Sequence, residues 1–129
     1  MIPRLLSGPG PFVYDVETDG IEALSCNVRC VGIGNGTGKI VVVGTRSRST
    51  GNNQPRGEDA TFYSPAVMAQ IKDVLRRFFA DPGRLKVGHN AGYYDRMVIR
   101  QWLGVEPEPT LDTILLHRLA ASELPHSLG

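Results

Sequence analysis

One short run constrains this chain more than any other. Pro11-Phe12-Val13-Tyr14-Asp15-Val16-Glu17-Thr18-Asp19-Gly20 is rich in β-branched and aromatic residues and ends on Asp-Gly, a turn signal. Side chains alternate across a strand, so Val13, Asp15 and Glu17 share one face and Phe12, Tyr14 and Val16 the other. The two carboxylates then stand about 7 Å apart on one surface. A pair of anions buried in an apolar strand is costly without positive compensation. A divalent cation is the economical compensation. The competing reading is an edge strand with solvated carboxylates next to a plain turn.

A second stretch repeats the problem. Lys86-Val87-Gly88-His89-Asn90 reads as a short strand running into a helix, with Asn90 as N-cap and helical periodicity from Ala91 to Leu103. Asp95 falls on the stripe of Ala91, Val98, Ile99 and Trp102, while Arg96, Arg100 and Gln101 take the wet side. A lone carboxylate on a core-facing stripe is rarely left without a partner. Arg96 and Arg100 point the wrong way around the helix to pair with it.

Around these acids the chain alternates regularly. Val28–Ile33 and Lys39–Gly44 are apolar runs joined by Asn35-Gly36-Thr37-Gly38, a hairpin signal. The Gly-rich run before Lys39 is not a phosphate loop. Its frame lacks the required Gly, Ile40 replaces Ser or Thr, and strands flank it on both sides. The stretch 45–61 is polar and reads as a mobile loop, in which Arg46, Arg48 and Arg56 are candidates for backbone phosphates or simply solvated charges. Ser64-Pro65 opens a helix whose apolar side is Val67, Met68, Ile71, Val74, Leu75 and Phe78, and Asp81-Pro82-Gly83 stops it. Thr110–Asp112 reads as a short last strand and Thr113–Ser122 as a further helix capped by Asp112. His89 reads as a hydrogen-bonded residue at a strand end, since hard-ion sites rarely use imidazole. Tyr93 and Tyr94 are candidates for base stacking, one of them for the core.

Asp15-Val16-Glu17 and His89-Asn90-Ala91-Gly92-Tyr93-Tyr94-Asp95 resemble the first and second motifs of the DEDD (DnaQ-like) 3′–5′ exonucleases. Leu111-Asp112-Thr113 and Leu124-Pro125-His126-Ser127-Leu128-Gly129 resemble the same family, most closely the proofreading domains of family A and phage-type DNA polymerases. The resemblance implies an α/β, ribonuclease H-like mixed sheet of strand order 3-2-1-4-5, spanning residues 1–129 as a single domain. Open α/β sheets gather ligands beyond the carboxyl ends of their strands where the order reverses, which would bring the three acids together.

The resemblance also implies chemistry. Asp15, Glu17 and Asp95 would be catalytic carboxylates holding two ions, Mg2+ or Mn2+. Thr18 would hold the terminal 3′ hydroxyl and Ile21 the last base. Asn90 would lie on the substrate side, with Asp112 and His89 in supporting or structural roles. The substrate would be the 3′ end of single-stranded DNA and the product a nucleoside monophosphate. The family's third motif, Tyr-x-x-x-Asp or His-x-x-x-x-Asp, has no match after Asp112. The expectation is therefore an incomplete domain, weakly active or inactive alone, completed by a polymerase domain or a second chain. The alternatives are a DEDD exoribonuclease and a non-catalytic scaffold that keeps the fold.

The totals narrow the rest. A chain of 129 residues forms one domain at most. A net charge of +1 offers no global attraction to nucleic acid, so such binding must be local. Cys26 and Cys30 are not spaced as a metal hook and read as reduced thiols of a cytoplasmic protein. The family resemblance implies a bacterial or phage-infected cell. No apolar stretch reaches membrane-spanning length.

Overall fold

Alternation sorts the first strand as its sequence implies. In a computed structural model that describes residues 4, 6–8, 10–45 and 61–127, β1 (Phe12–Thr18) buries Phe12, Tyr14 and Val16 and exposes Val13, Asp15 and Glu17. It is the middle strand of a five-stranded sheet. β2 (Val28–Gly34) pairs antiparallel with it, and β3 (Ile40–Gly44) pairs antiparallel with β2. β4 (Lys86–Gly88) and β5 (Thr110–Asp112) add in parallel on the other side. The order is β3-β2-β1-β4-β5, as the family resemblance implies. The Gly-rich run is a hairpin turn, with Gly36 and Gly38 in the left-handed region at φ 72° and 82°. Arg46, Arg48 and Arg56 lie outside the described residues.

Helices cover the inner sheet face. α1 (Pro65–Ala80) starts where Ser64 Oγ accepts from the Val67 N–H at 3.3 Å and Pro65 occupies the first turn. It buries Leu75, Phe78 and Phe79, whereas Val67, expected on its apolar side, is exposed. The α1 stripe seats on the sheet only from its second half onward, where Phe78 meets Phe12 edge to face at 5.1 Å and Phe79 meets Tyr14 at 5.2 Å. α2 (Tyr94–Leu103) adds Val98, Ile99 and Leu103 to the same core. α3 (Thr113–Ala120) follows β5 directly and buries none of its residues.

The outer sheet face is open. Val13, Ile40, Val42 and Leu111 are between 41% and 71% exposed on it. Asp15 and Glu17 share this face and are exposed, which corrects the expectation of a buried anion pair. The reason lies in the partner strand: Val13 faces Gly34 and Asp15 faces Gly32, where an added Cβ would have nothing within 4 Å. Among the described residues no helix is long and apolar enough to cross a membrane.

Candidate active site

The three acids reach their places by different routes. Asp15 and Glu17 come from β1, with a register irregularity between Glu17 and Thr18 that re-aims the strand end. Pairing with β4 covers only Phe12 and Val13, so the later part of β1 has a free edge on that side. The α2 N-terminus fills this edge, and Asp95 in its first turn is buried and accepts a hydrogen bond from the Val16 backbone N–H.

The turn before α2 corrects the sequence reading. Asn90 is not an N-cap: the helix begins at Tyr94, and Asn90 is an exposed residue in the left-handed region at φ 58°. Asp112 draws this turn out of helical geometry. Its carboxylate accepts from the Asn90 N–H at 2.9 Å, the Gly92 N–H at 2.8 Å and the Ile114 N–H at 3.0 Å. It therefore caps α3 as expected and also ties the turn to β5. Close approach explains two glycines: a Cβ on Gly88 would stand 2.3 Å from Ala91 Cβ, and one on Gly92 would stand 2.9 Å from Asp112 Oδ2. His89 is the hydrogen-bonded strand-end residue expected, with Nδ1 2.9 Å from Thr113 Oγ1.

Electrostatics single out Asp95. Burial, then the charges of Asp15, Glu17 and Asp112, push its carboxyl from 3.8 up to about 7, against the opposing Val16 hydrogen bond. Among the described residues no ion pair involves Asp95. Arg96 pairs with Glu106 at 2.9 Å and Glu108 at 2.8 Å, and Arg100 with Glu106 at 3.2 Å, on the far side of the helix. The same negative field reaches Cys30, opposite Glu17, whose thiol is pushed up by burial and by Glu17 and Asp15. Both cysteines are free. Among the described residues no three His, Cys, Asp or Glu side chains stand close enough together to hold a metal ion.

Two contacts at the strand end were not legible in the sequence. The Tyr94 hydroxyl lies 2.7 Å from Thr18 Oγ1 and donates to the Gly20 carbonyl at 2.5 Å. It thereby links the residue beside Asp95 to the turn that follows Glu17. Tyr94 is the half-buried tyrosine packed on the core, while Tyr93 is 69% exposed and Ile21 89%.

The mixed sheet, its strand order and the acids at its switch point define a ribonuclease H-like α/β fold of the exonuclease type. A family profile described as 3′-5′ exonuclease matches residues 1–129, and the chain belongs to that family. Its fold is similar to that of a structure titled the apo form of the nuclease, at 22% identity and TM-score 0.67, covering 92% of this chain and 48% of that one. It is also similar to Brucella melitensis NrnC with bound Mg2+, at 18% identity and TM-score 0.72, covering 98% and 52%. Escherichia coli RNase D, an exoribonuclease involved in structured RNA processing, shares the fold at 16% identity and TM-score 0.63, covering 99% and 28%. The chain thus spans about half the length of the first two structures. No curated protein sequence matches it.

Proposed function

We propose that these 129 residues form the metal-binding half of a DEDD-type 3′–5′ exonuclease acting on the 3′ end of single-stranded DNA, as in proofreading. The observation that carries this reading is Asp95, a buried carboxyl raised to about 7 by burial and the neighbouring charges of Asp15, Glu17 and Asp112. An uncompensated negative pocket favours a doubly charged cation, and an all-carboxylate donor set suits Mg2+ or Mn2+. Asp15 and Glu17 stand exposed on the open sheet face.

Asp15, Glu17 and Asp95 would hold the two ions, with Asp15 and Glu17 serving the one that activates the attacking water. When bound, such a pair supplies a clamp for the attacking and leaving oxygens of a phosphodiester and lowers the pKa of the attacking water. The chain's own residues do the rest. Thr18, fixed by Tyr94, offers a hydroxyl to the terminal 3′ hydroxyl. Ile21, almost fully exposed, offers an apolar surface to the last base. Asn90, exposed on the turn before Asp95, faces the substrate side. Turnover would need a further carboxylate and general base, so binding is the expected property of these residues alone.

The test is calorimetric titration with Mn2+. Saturable binding that Asp15→Ala abolishes supports the reading; no binding, or binding indifferent to Asp15→Ala, overturns it. Similarity to RNase D favours RNA as the second substrate reading. Affinity for 3′-terminal DNA and RNA oligonucleotides, measured with Mn2+ present, separates the two.

A further inference from the structure

Two histidines far from the acids in sequence meet at the end of α3. Nδ1 of His117 and Nδ1 of His126 stand 3.0 Å apart, with the rings edge to face at a centroid distance of 5.0 Å. The backbone arranges this meeting. The Ala121 N–H donates to the His117 carbonyl at 2.8 Å, closing α3, and the Leu124 N–H donates to the Ala121 carbonyl at 3.2 Å, turning the chain back. Both histidines are half-buried, with one side open to water.

We propose that His117 and His126 form a binding site for a borderline transition-metal cation of the Ni2+, Cu2+ or Zn2+ class, held through both Nδ1 atoms. The separation of the two nitrogens suits a chelate. Two nitrogens each about 2.0–2.1 Å from one ion and 3.0 Å apart subtend about 90–97°, a cis pair in a square or octahedral sphere. A tetrahedral ion needs the nitrogens only about 0.3–0.4 Å further apart. Without metal, this contact requires one proton between the two nitrogens, one ring donating and the other accepting. The cation takes the place of that proton, which moves to Nε2 of its own ring, so both imidazoles stay neutral and the exchange balances.

Location reinforces the geometry. His117 lies in the last turn of α3, where unpaired carbonyls favour positive charge. Water completes the coordination sphere from the open side. Imidazole selects against Mg2+ and Mn2+, so this site and the carboxylate site sort ions by softness. The structural consequence is a cross-link. α3 buries none of its residues, and a bound ion would fasten the segment after it onto its last turn.

The experiment is calorimetric titration of the 129-residue chain with Ni2+, Zn2+ and, as control, Mg2+, and it does not depend on the nuclease reading. A saturable Ni2+ or Zn2+ site is expected that is weakened at least about tenfold in both His117→Gln and His126→Gln and that persists in Asp15→Ala, whatever the carboxylate site itself binds. Circular dichroism verifies that each variant is folded. Histidine ring 1H–15N spectra of the unsubstituted chain give a second readout: Zn2+ should shift the Nδ1 resonances of two of the three rings and leave that of His89 in place. Absence of saturable binding, binding that neither substitution weakens, movement of the His89 ring alone, or loss in Asp15→Ala would each overturn the proposal.

Discussion

Replacing Asp95 by asparagine should stabilise the metal-free chain at alkaline pH. The buried carboxyl holds its proton up to about pH 7, against an ordinary value of 3.8. Between those values the folded chain binds more protons than the unfolded one, so stability falls as pH rises through that window. A shift from 3.8 to about 7 corresponds to at most about 4 kcal/mol at about 1.4 kcal/mol per unit. Solvent reaches the site over the open acid face, so about 2 kcal/mol is the expected loss. The amide of the variant would keep an oxygen for the Val16 N–H and carry no charge, so its stability should stay flat. Urea unfolding in EDTA measures this. With a slope of about 2 kcal/mol per molar, the variant should unfold about 1 M later than the unsubstituted chain at pH 8, and at the same concentration near pH 4. Excess Mn2+ should erase the difference, because a ligand at one hundred times its Kd adds about 2.7 kcal/mol to the chain that binds it. A variant less stable at pH 8, or one with the same pH slope as its parent, would refute the electrostatic account of the site.

Asp112→Ala removes the acceptor of three backbone N–H groups and should cost about 3–4 kcal/mol, with faster amide exchange at Asn90 and Gly92; a loss under about 1 kcal/mol would contradict it. Lys86 is fully buried, its pKa lowered by burial, and its ammonium donates to the Asp81 and Glu108 carbonyls at 2.6 and 2.9 Å. Lys86→Met should cost less than about 1.5 kcal/mol, since the buried charge carries its own desolvation penalty, whereas Lys86→Ala should cost about 2–4 kcal/mol through the cavity; equal losses in thermal melts would count against this. Tyr94→Phe should leave Mn2+ affinity within about twofold while weakening binding of a 3′-terminal oligonucleotide about tenfold, one hydrogen-bonded link being worth about 1 kcal/mol or slightly more. Unchanged oligonucleotide affinity would show that the Thr18 turn holds without it.

Much of the architecture was readable because it is written in local periods. Period two in Phe12–Thr18 and period near four in the Asp95 helix set which face each residue occupies, and both readings agree with the structure. Turn chemistry marked the hairpin, and Ser64-Pro65 marked the start of α1. What failed depended on neighbours from distant chain. Asn90 has the chemistry of a cap, but the Asp112 carboxylate competes for the same turn and wins. The acids at 15 and 17 looked buried because their strand is apolar, yet an uncovered sheet face, with Gly32 across from Asp15, leaves them in water.

By itself, then, the order of residues determined the strands and the helices, because steric alternation and side-chain chemistry act between near neighbours. Only the folded chain decided that Asp95 fills the free edge of β1, that Tyr94 grips the strand end, that Lys86 sits in the interior and that His117 meets His126. Those outcomes depend on which distant segments pack against one another, and a hydrogen bond or a charge across such a contact has no signature in either partner's local sequence.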